Sequence, residues 1–123
     1  MPTLLELAGA ADKTPKTDGI SFAPALLGQQ QEERPFLYRE FPSYGGQMCV
    51  RAGDWKLVRT GLRTGGGKRA AGKAPKTELF NIASDRGETK NLAAEKPEIV
   101  AKLEAITKSQ HTPSADFPFA ALE

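Results

Sequence analysis

Between residues 36 and 59 the chain carries strand-like runs, and from Met48 onward they alternate with a period of two, the spacing of a half-buried β-strand. Phe36, Leu37, Tyr38 and Phe41 carry Arg39 and Glu40 between them and stop at Pro42 and a Ser43-Tyr44-Gly45-Gly46 turn. Met48, Val50 and Ala52 then alternate with Cys49 and Arg51, and Trp55, Leu57 and Arg59 with Lys56 and Val58. Gly53-Asp54 between the two runs suits a two-residue hairpin turn with positive φ at its first position. Strands are predicted at Phe36–Phe41, Gln47–Ala52, Trp55–Thr60 and, after a gap, Glu78–Ile82. Trp55 is the expected core anchor of this sheet.

The period changes to 3.6 after Pro97, which opens a helix over 97–108 with Ile99, Val100, Leu103 and Ile106 on one face. Glu98–Lys102 and Glu104–Lys108 are i,i+4 pairs for its wet side. The order β-β-β-loop-β-α, with short connections, predicts an α+β fold: a small antiparallel sheet of about four strands with one C-terminal helix packed on a face.

The flanking segments are less regular. Pro2, Leu4, Leu5 and Ala8, stopped by Gly9, describe two turns of helix. Residues 10–35 read as an irregular connection with Ile20, Phe22, Leu26 and Leu27 as apolar anchors. Residues 61–77 lack periodicity and read as a loop between strands, and Ser84-Asp85-Arg86-Gly87 as a turn in which Gly87 takes positive φ. From Gln110 an extended tail is held only by its aromatic residues, Phe117 and Phe119. Three segments follow: 1–34, 35–109 and 110–123.

Composition narrows the function classes. At 123 residues this is one small domain, which buries roughly two-thirds of its unfolded surface. A net charge of +2, without a sustained basic face, argues against a nucleic-acid partner. No apolar run approaches a membrane span, and the first residues lack the basic start and apolar centre of a signal peptide. With Cys49 the single cysteine, an intrachain disulfide is impossible and a four-cysteine metal site is excluded.

Individual residues offer little catalytic chemistry. Gly67-Lys68-Arg69-Ala70-Ala71-Gly72-Lys73-Ala74 approaches a phosphate-binding loop but fails at Ala74, which has no hydroxyl for Mg²⁺, and no helix pattern follows. His111, the single histidine, sits in the proline-rich tail and reads as a surface residue. Cys49 reads as a structural thiol, because a nucleophile needs an activating base and no histidine is near in sequence. No catalytic residue and no metal ligand is assigned. The candidates for substrate binding are Tyr44 and Gln47, since a Ser-Tyr-Gly-Gly loop between strands can project side chains into a neighbouring cleft; an exposed turn is the alternative.

The order of these pieces resembles the C-terminal subdomain of the sulfatase, or arylsulfatase-like, family. The resemblance runs through Pro2-Thr3-Leu4-Leu5-Glu6-Leu7-Ala8-Gly9, Asp18-Gly19-Ile20-Ser21-Phe22, Pro24-Ala25-Leu26-Leu27-Gly28 and Arg34-Pro35-Phe36-Leu37-Tyr38. It continues through Val50-Arg51-Ala52-Gly53-Asp54-Trp55-Lys56-Leu57-Val58, Glu78-Leu79-Phe80-Asn81-Ile82, Asp85-x-Gly87-Glu88-Thr89-x-Asn91-Leu92-Ala93 and Thr112-Pro113-Ser114-x-x-Phe117-Pro118. Arg86 departs from it, standing where a proline is common.

What the resemblance implies is a C-terminal fragment of a sulfuric ester hydrolase, inactive alone, that completes the fold and rims the substrate pocket through Phe41–Gln47. Formylglycine and Ca²⁺ are then implied for an upstream catalytic domain, a sulfated small molecule or glycan as its substrate, and a periplasmic or secreted location. Residues 1–34 become the end of the catalytic part. Cys49-Val50-Arg51-Ala52-Gly53 lacks the proline and the arginine placement of a C/S-x-P-x-R site, so Cys49 is not a formylglycine precursor. A free-standing, non-catalytic interaction module of the same fold is the alternative.

Overall fold

The computed structural model of the chain describes residues 1–63, 75–119 and 121–122, so the Gly67–Ala74 segment lies outside the described residues. Two compact units are present, Met1–Arg34 and Pro35–Glu123.

In the first unit, α1 (Pro2–Leu7) begins with proline at a position where a missing N–H costs nothing, and it ends before Gly9 at φ +71°. Residues 10–35 are more ordered than the sequence suggests, with a 3₁₀ turn at Ala11–Lys13 and a single helical turn, α2 (Ala23–Leu26), seeded by Pro24. Polar contacts hold this unit. The Phe22 N–H donates to Thr3 Oγ1 at 3.2 Å, the Ala23 N–H to Ser21 Oγ at 3.1 Å, and Arg34 Nη2 to the Asp18 carbonyl at 2.8 Å. The expected anchors Ile20, Phe22, Leu26 and Leu27 are exposed, as is Leu4; Thr3 and Ala23 are buried instead. A segment this short cannot enclose its own large side chains, so its small ones go inside.

In the second unit, β1 (Leu37–Phe41), β2 (Gln47–Ala52), β3 (Trp55–Thr60) and β4 (Lys76–Asn81) form one antiparallel sheet in sequence order. The helix α3 (Pro97–Gln110) follows. The pairings Val50↔Leu57 and Leu57↔Leu79 stack three apolar residues across one face, joined by Met48 and covered by Leu103 of α3. Each such side chain contributes about 1.5–3 kcal/mol on burial. Gly53 takes φ +55° at the hairpin, as the Gly-Asp pair predicts. This is the predicted α+β architecture.

Several details differ from the sequence expectation. The fourth strand starts at Lys76, because the β3 ladder extends to Thr60↔Lys76 whatever the apolar content of β4. The loop expected from residue 61 first passes through Leu62, which is fully buried, with its N–H on the Gly46 carbonyl at 3.1 Å. Trp55 packs half-buried against the core, and of the two aromatic residues expected to hold the tail Phe119 is buried, at 2% exposure, whereas Phe117 is exposed. Helix α3 runs two residues further than predicted, to Gln110, and ends where Thr112 precedes Pro113. Its Glu104 turns to Arg59 of β3 at 3.7 Å, not to Lys108.

Gly46 carries the tightest constraint. It sits at φ +78°, and a Cβ there would lie 2.7 Å from both Arg63 Cγ and Phe119 Cε1. Gly53 also has positive φ, but a Cβ would meet nothing within 4 Å. Replacing Gly46 with Ala should therefore destabilise the sheet by about 2–4 kcal/mol, combining strain with overpacking, and Gly53→Ala by about 1–2 kcal/mol from φ alone. Urea-denaturation midpoints of the two variants check the order.

Candidate functional site

The two substrate-binding candidates sit at one end of the sheet. Tyr44 is at the tip of the β1–β2 connection, 83% exposed and at φ +54°, its ring stacked on Phe41 with centroids 6.1 Å apart. Gln47 starts β2, half-buried, opposite Phe41 on one side and Thr60 on the other. The loop has a fixed footing: its Gly45 and Gly46 carbonyls accept the Arg63 and Leu62 N–H groups at 2.9 and 3.1 Å. Arg63 Nη1 also donates to the Pro42 carbonyl at 3.1 Å, and its guanidinium lies 5.8 Å from the Phe117 ring centre. An aromatic tip on a rigid base is suited to contacting a ligand or a neighbouring surface.

At the other end, sequence reasoning missed a concavity of about 610 Å³ on the sheet face away from the buried cluster. Alternation puts Arg39, Cys49, Arg51 and Lys56 on this face, and the 82–88 segment adds Arg86 and Glu88. Lys56 Nζ meets Glu88 Oε1 at 2.5 Å. That ion pair explains a correction: Glu88, not Gly87, takes positive φ, at +54°, in the turn that brings its carboxylate to Lys56. The signal available in the sequence was that Arg39, Arg51 and Lys56 are cations at outward positions of three neighbouring strands.

Burial pushes the Cys49 thiol above its ordinary range, against the lowering effect of Lys56; Glu88 raises it further and Arg39 lowers it. That direction favours the protonated thiol over the thiolate, which suits a structural role.

The Asp85-to-Ala93 run is a hydrogen-bonded clasp. Asp85 Oδ2 accepts the Thr89 and Lys90 N–H groups at 2.8 and 2.9 Å, and Oδ1 accepts the Thr89 hydroxyl at 3.1 Å. The Lys90 N–H is the largest influence holding the Asp85 carboxyl below its usual range; desolvation opposes it, and the hydrogen bonds from Thr89 and Gly87 add to the lowering. Asn91 then closes on the edge strand: its Oδ1 accepts the Leu79 N–H at 3.0 Å and the Ala93 N–H at 2.9 Å. The Leu92 N–H reaches the Leu79 carbonyl at 2.8 Å, so the clasp covers part of the open edge of β4.

His111 is not at the surface. Its side chain is 7% exposed, Nδ1 lies 2.7 Å from Glu40 Oε1, and the ring tilts against Phe119 at 6.2 Å. The Tyr38 hydroxyl donates to the same Glu40 oxygen, and burial, then that carboxylate, raise the phenol well above its ordinary range. Tyr38, Glu40 and His111 thus tie the tail to β1, a contact across 71 residues that local reading does not reach.

The described residues do not supply the donor set of a Ca²⁺ site, and the sequence holds no C/S-x-P-x-R segment for formylglycine. Among the described residues no group of three His, Cys, Asp or Glu side chains could hold a metal ion, and Cys49 lies within a strand. Among them, too, no helix is long and apolar enough to cross a membrane.

Comparison with known proteins places the fold. No family model matches the sequence, and no curated protein matches it. Solved structures do. A Bacteroides thetaiotaomicron protein from a locus for metabolism of glycosaminoglycans aligns over 87% of this chain with a TM-score of 0.62 and 18% identity. A candidate sulfatase from Bacteroides fragilis aligns over 88% with a TM-score of 0.60 and 17% identity. A protein solved with its substrate D-glucosamine-2-N,6-O-disulfate aligns over 88% with a TM-score of 0.64 and 20% identity. The fold is sulfatase-like. This chain spans only 23%, 23% and 22% of those three proteins.

Two measurements follow. Iodoacetamide should alkylate Cys49 slowly at pH 7.5 in the folded chain and much faster in urea; equal rates would mean an accessible, ordinary thiol. Because the folded Asp85 carboxyl is more acidic than the unfolded one, its stabilisation is complete above the ordinary carboxylate range and is lost as pH falls through the folded value. The stability gap between the native chain and Asp85→Asn should therefore narrow with acidification. A gap constant down to pH 2 would contradict this.

Proposed function

We propose that this chain is the C-terminal piece of a sulfatase, a sulfuric ester hydrolase, whose role is to complete the enzyme's fold and rim its substrate pocket. The observation that carries the reading is a fold match over nearly all of this chain but under a quarter of each matched protein. The exposed Leu4, Phe22, Leu26 and Leu27 of the first unit support it, since apolar side chains grouped in one short segment mark a contact surface. In this reading the formylglycine and Ca²⁺ belong to an upstream catalytic domain. Tyr44 and Gln47, on their braced loop, are the residues that meet the sulfated small molecule or glycan.

The free-standing interaction module draws its support from the second unit, which closes a core of its own around Met48, Val50, Leu57 and Leu103. The two readings separate at the gene. Reading upstream of Met1 in genomic DNA should reveal an in-frame C/S-x-P-x-R segment; a stop codon directly preceding Met1 would favour the module. In the full-length enzyme, Tyr44→Ala should raise KM for a sulfated sugar roughly tenfold with little change in kcat, the pattern of lost uniform binding. An unchanged KM would remove Tyr44 from the pocket rim.

A further inference from the structure

We propose that the outer-face concavity binds a small oxyanion ester, a phosphate or sulfate monoester, through Arg39, Arg51 and Arg86. The strand register carries the argument. Arg51 lies directly opposite Lys56, and Arg39, opposite Cys49, is the diagonal neighbour of Arg51 on the same face. Like charges paired directly across strands, as Arg51 and Lys56 are, destabilise a sheet. Here the lining holds four cations, with Asp54 and Glu88 as its two carboxylates. Glu88 is engaged by Lys56 at 2.5 Å. Among the described residues, Arg39, Arg51 and Arg86 form no ion pair and donate no side-chain hydrogen bond.

Three such guanidinium groups around one hollow match an oxyanion, because each presents a planar fork that can bond two oxygens of the same group. Leu37, Ile82 and Ala83 line the same hollow and give an apolar wall for the carbon side of an ester. Its volume of about 610 Å³ is in the range of small-molecule sites. Position separates this site from the pocket-rim loop: it lies where Leu37, Arg51 and Lys56 meet, whereas Tyr44 sits beyond the Phe41, Gln47 and Thr60 end of the same strands. The proposal therefore stands apart from the sulfatase reading.

The test is an NMR titration of the isotope-labelled full chain with phenyl phosphate and, separately, phenyl sulfate, at constant ionic strength set by chloride. Saturable shifts are expected at residues 37–39, 49–51 and 86–88, and the stronger of the two titrants identifies the ester. Arg39→Gln and Arg51→Gln should each weaken binding about tenfold, the loss expected for one charge-assisted contact. Both variants should unfold at the same or higher urea concentration than the native chain, because each removes a repulsion. The proposal is overturned if neither ester saturates, if shifts fall outside those residues, or if the variants bind as the native chain does. A clear loss of stability in Arg51→Gln would remove its electrostatic premise.

Discussion

The register of the β2–β3 hairpin is the constraint on which the second unit depends. Side chains alternate strictly along a strand, so a slip of one residue would exchange the two faces. Met48, Val50 and Leu57 would turn to water, and Cys49, Arg51 and Lys56 would be driven beneath α3. Gly53 prevents this by taking φ +55° in a two-residue turn, which aligns Ala52 with Trp55 and, through it, each pair down to Gln47 with Thr60. The same alignment creates the apolar face that α3 covers and the cationic face opposite.

Long-range contacts then fix the ends of the sheet. At one end Gly46, Leu62, Arg63 and Phe119 lock together, so the Tyr44 loop stands on a packed base. At the other, the Asp85 clasp presents Glu88 to Lys56, and Asn91 meets the free edge of β4. Each end of the sheet thereby holds a loop in a set position, the condition for a loop to act as a binding element.

How much of this was legible in the sequence depended on range. The period-two runs and the Gly53-Asp54 turn gave the strands to within two residues, because alternation is local. The α3 face was legible for the same reason at period 3.6. Leu62 was not, since its backbone partner Gly46 lies in an earlier loop, whereas Phe119 was legible as an anchor of the tail though not as part of the central core. His111 failed likewise, as its partner Glu40 belongs to the first strand. The cationic hollow was hidden because Arg39, Arg51, Lys56 and Arg86 are scattered in sequence, and only pairing and the turn of Glu88 bring them to one face. The order of short motifs reached the sulfatase-like fold, although none of the motifs carries catalytic chemistry.

The central claim is that the sheet and α3 hold themselves together around an enclosed core, while Met1–Arg34 rests on polar contacts and leaves Leu4, Phe22, Leu26 and Leu27 uncovered. Hydrogen–deuterium exchange of the purified chain, read by peptide mass spectrometry, measures that difference directly. Amides of β2, β3, β4 and α3 should exchange slowly and as a group, and those of Met1–Arg34 at rates near an unfolded peptide. Equal protection across both units in the monomeric chain would contradict the account.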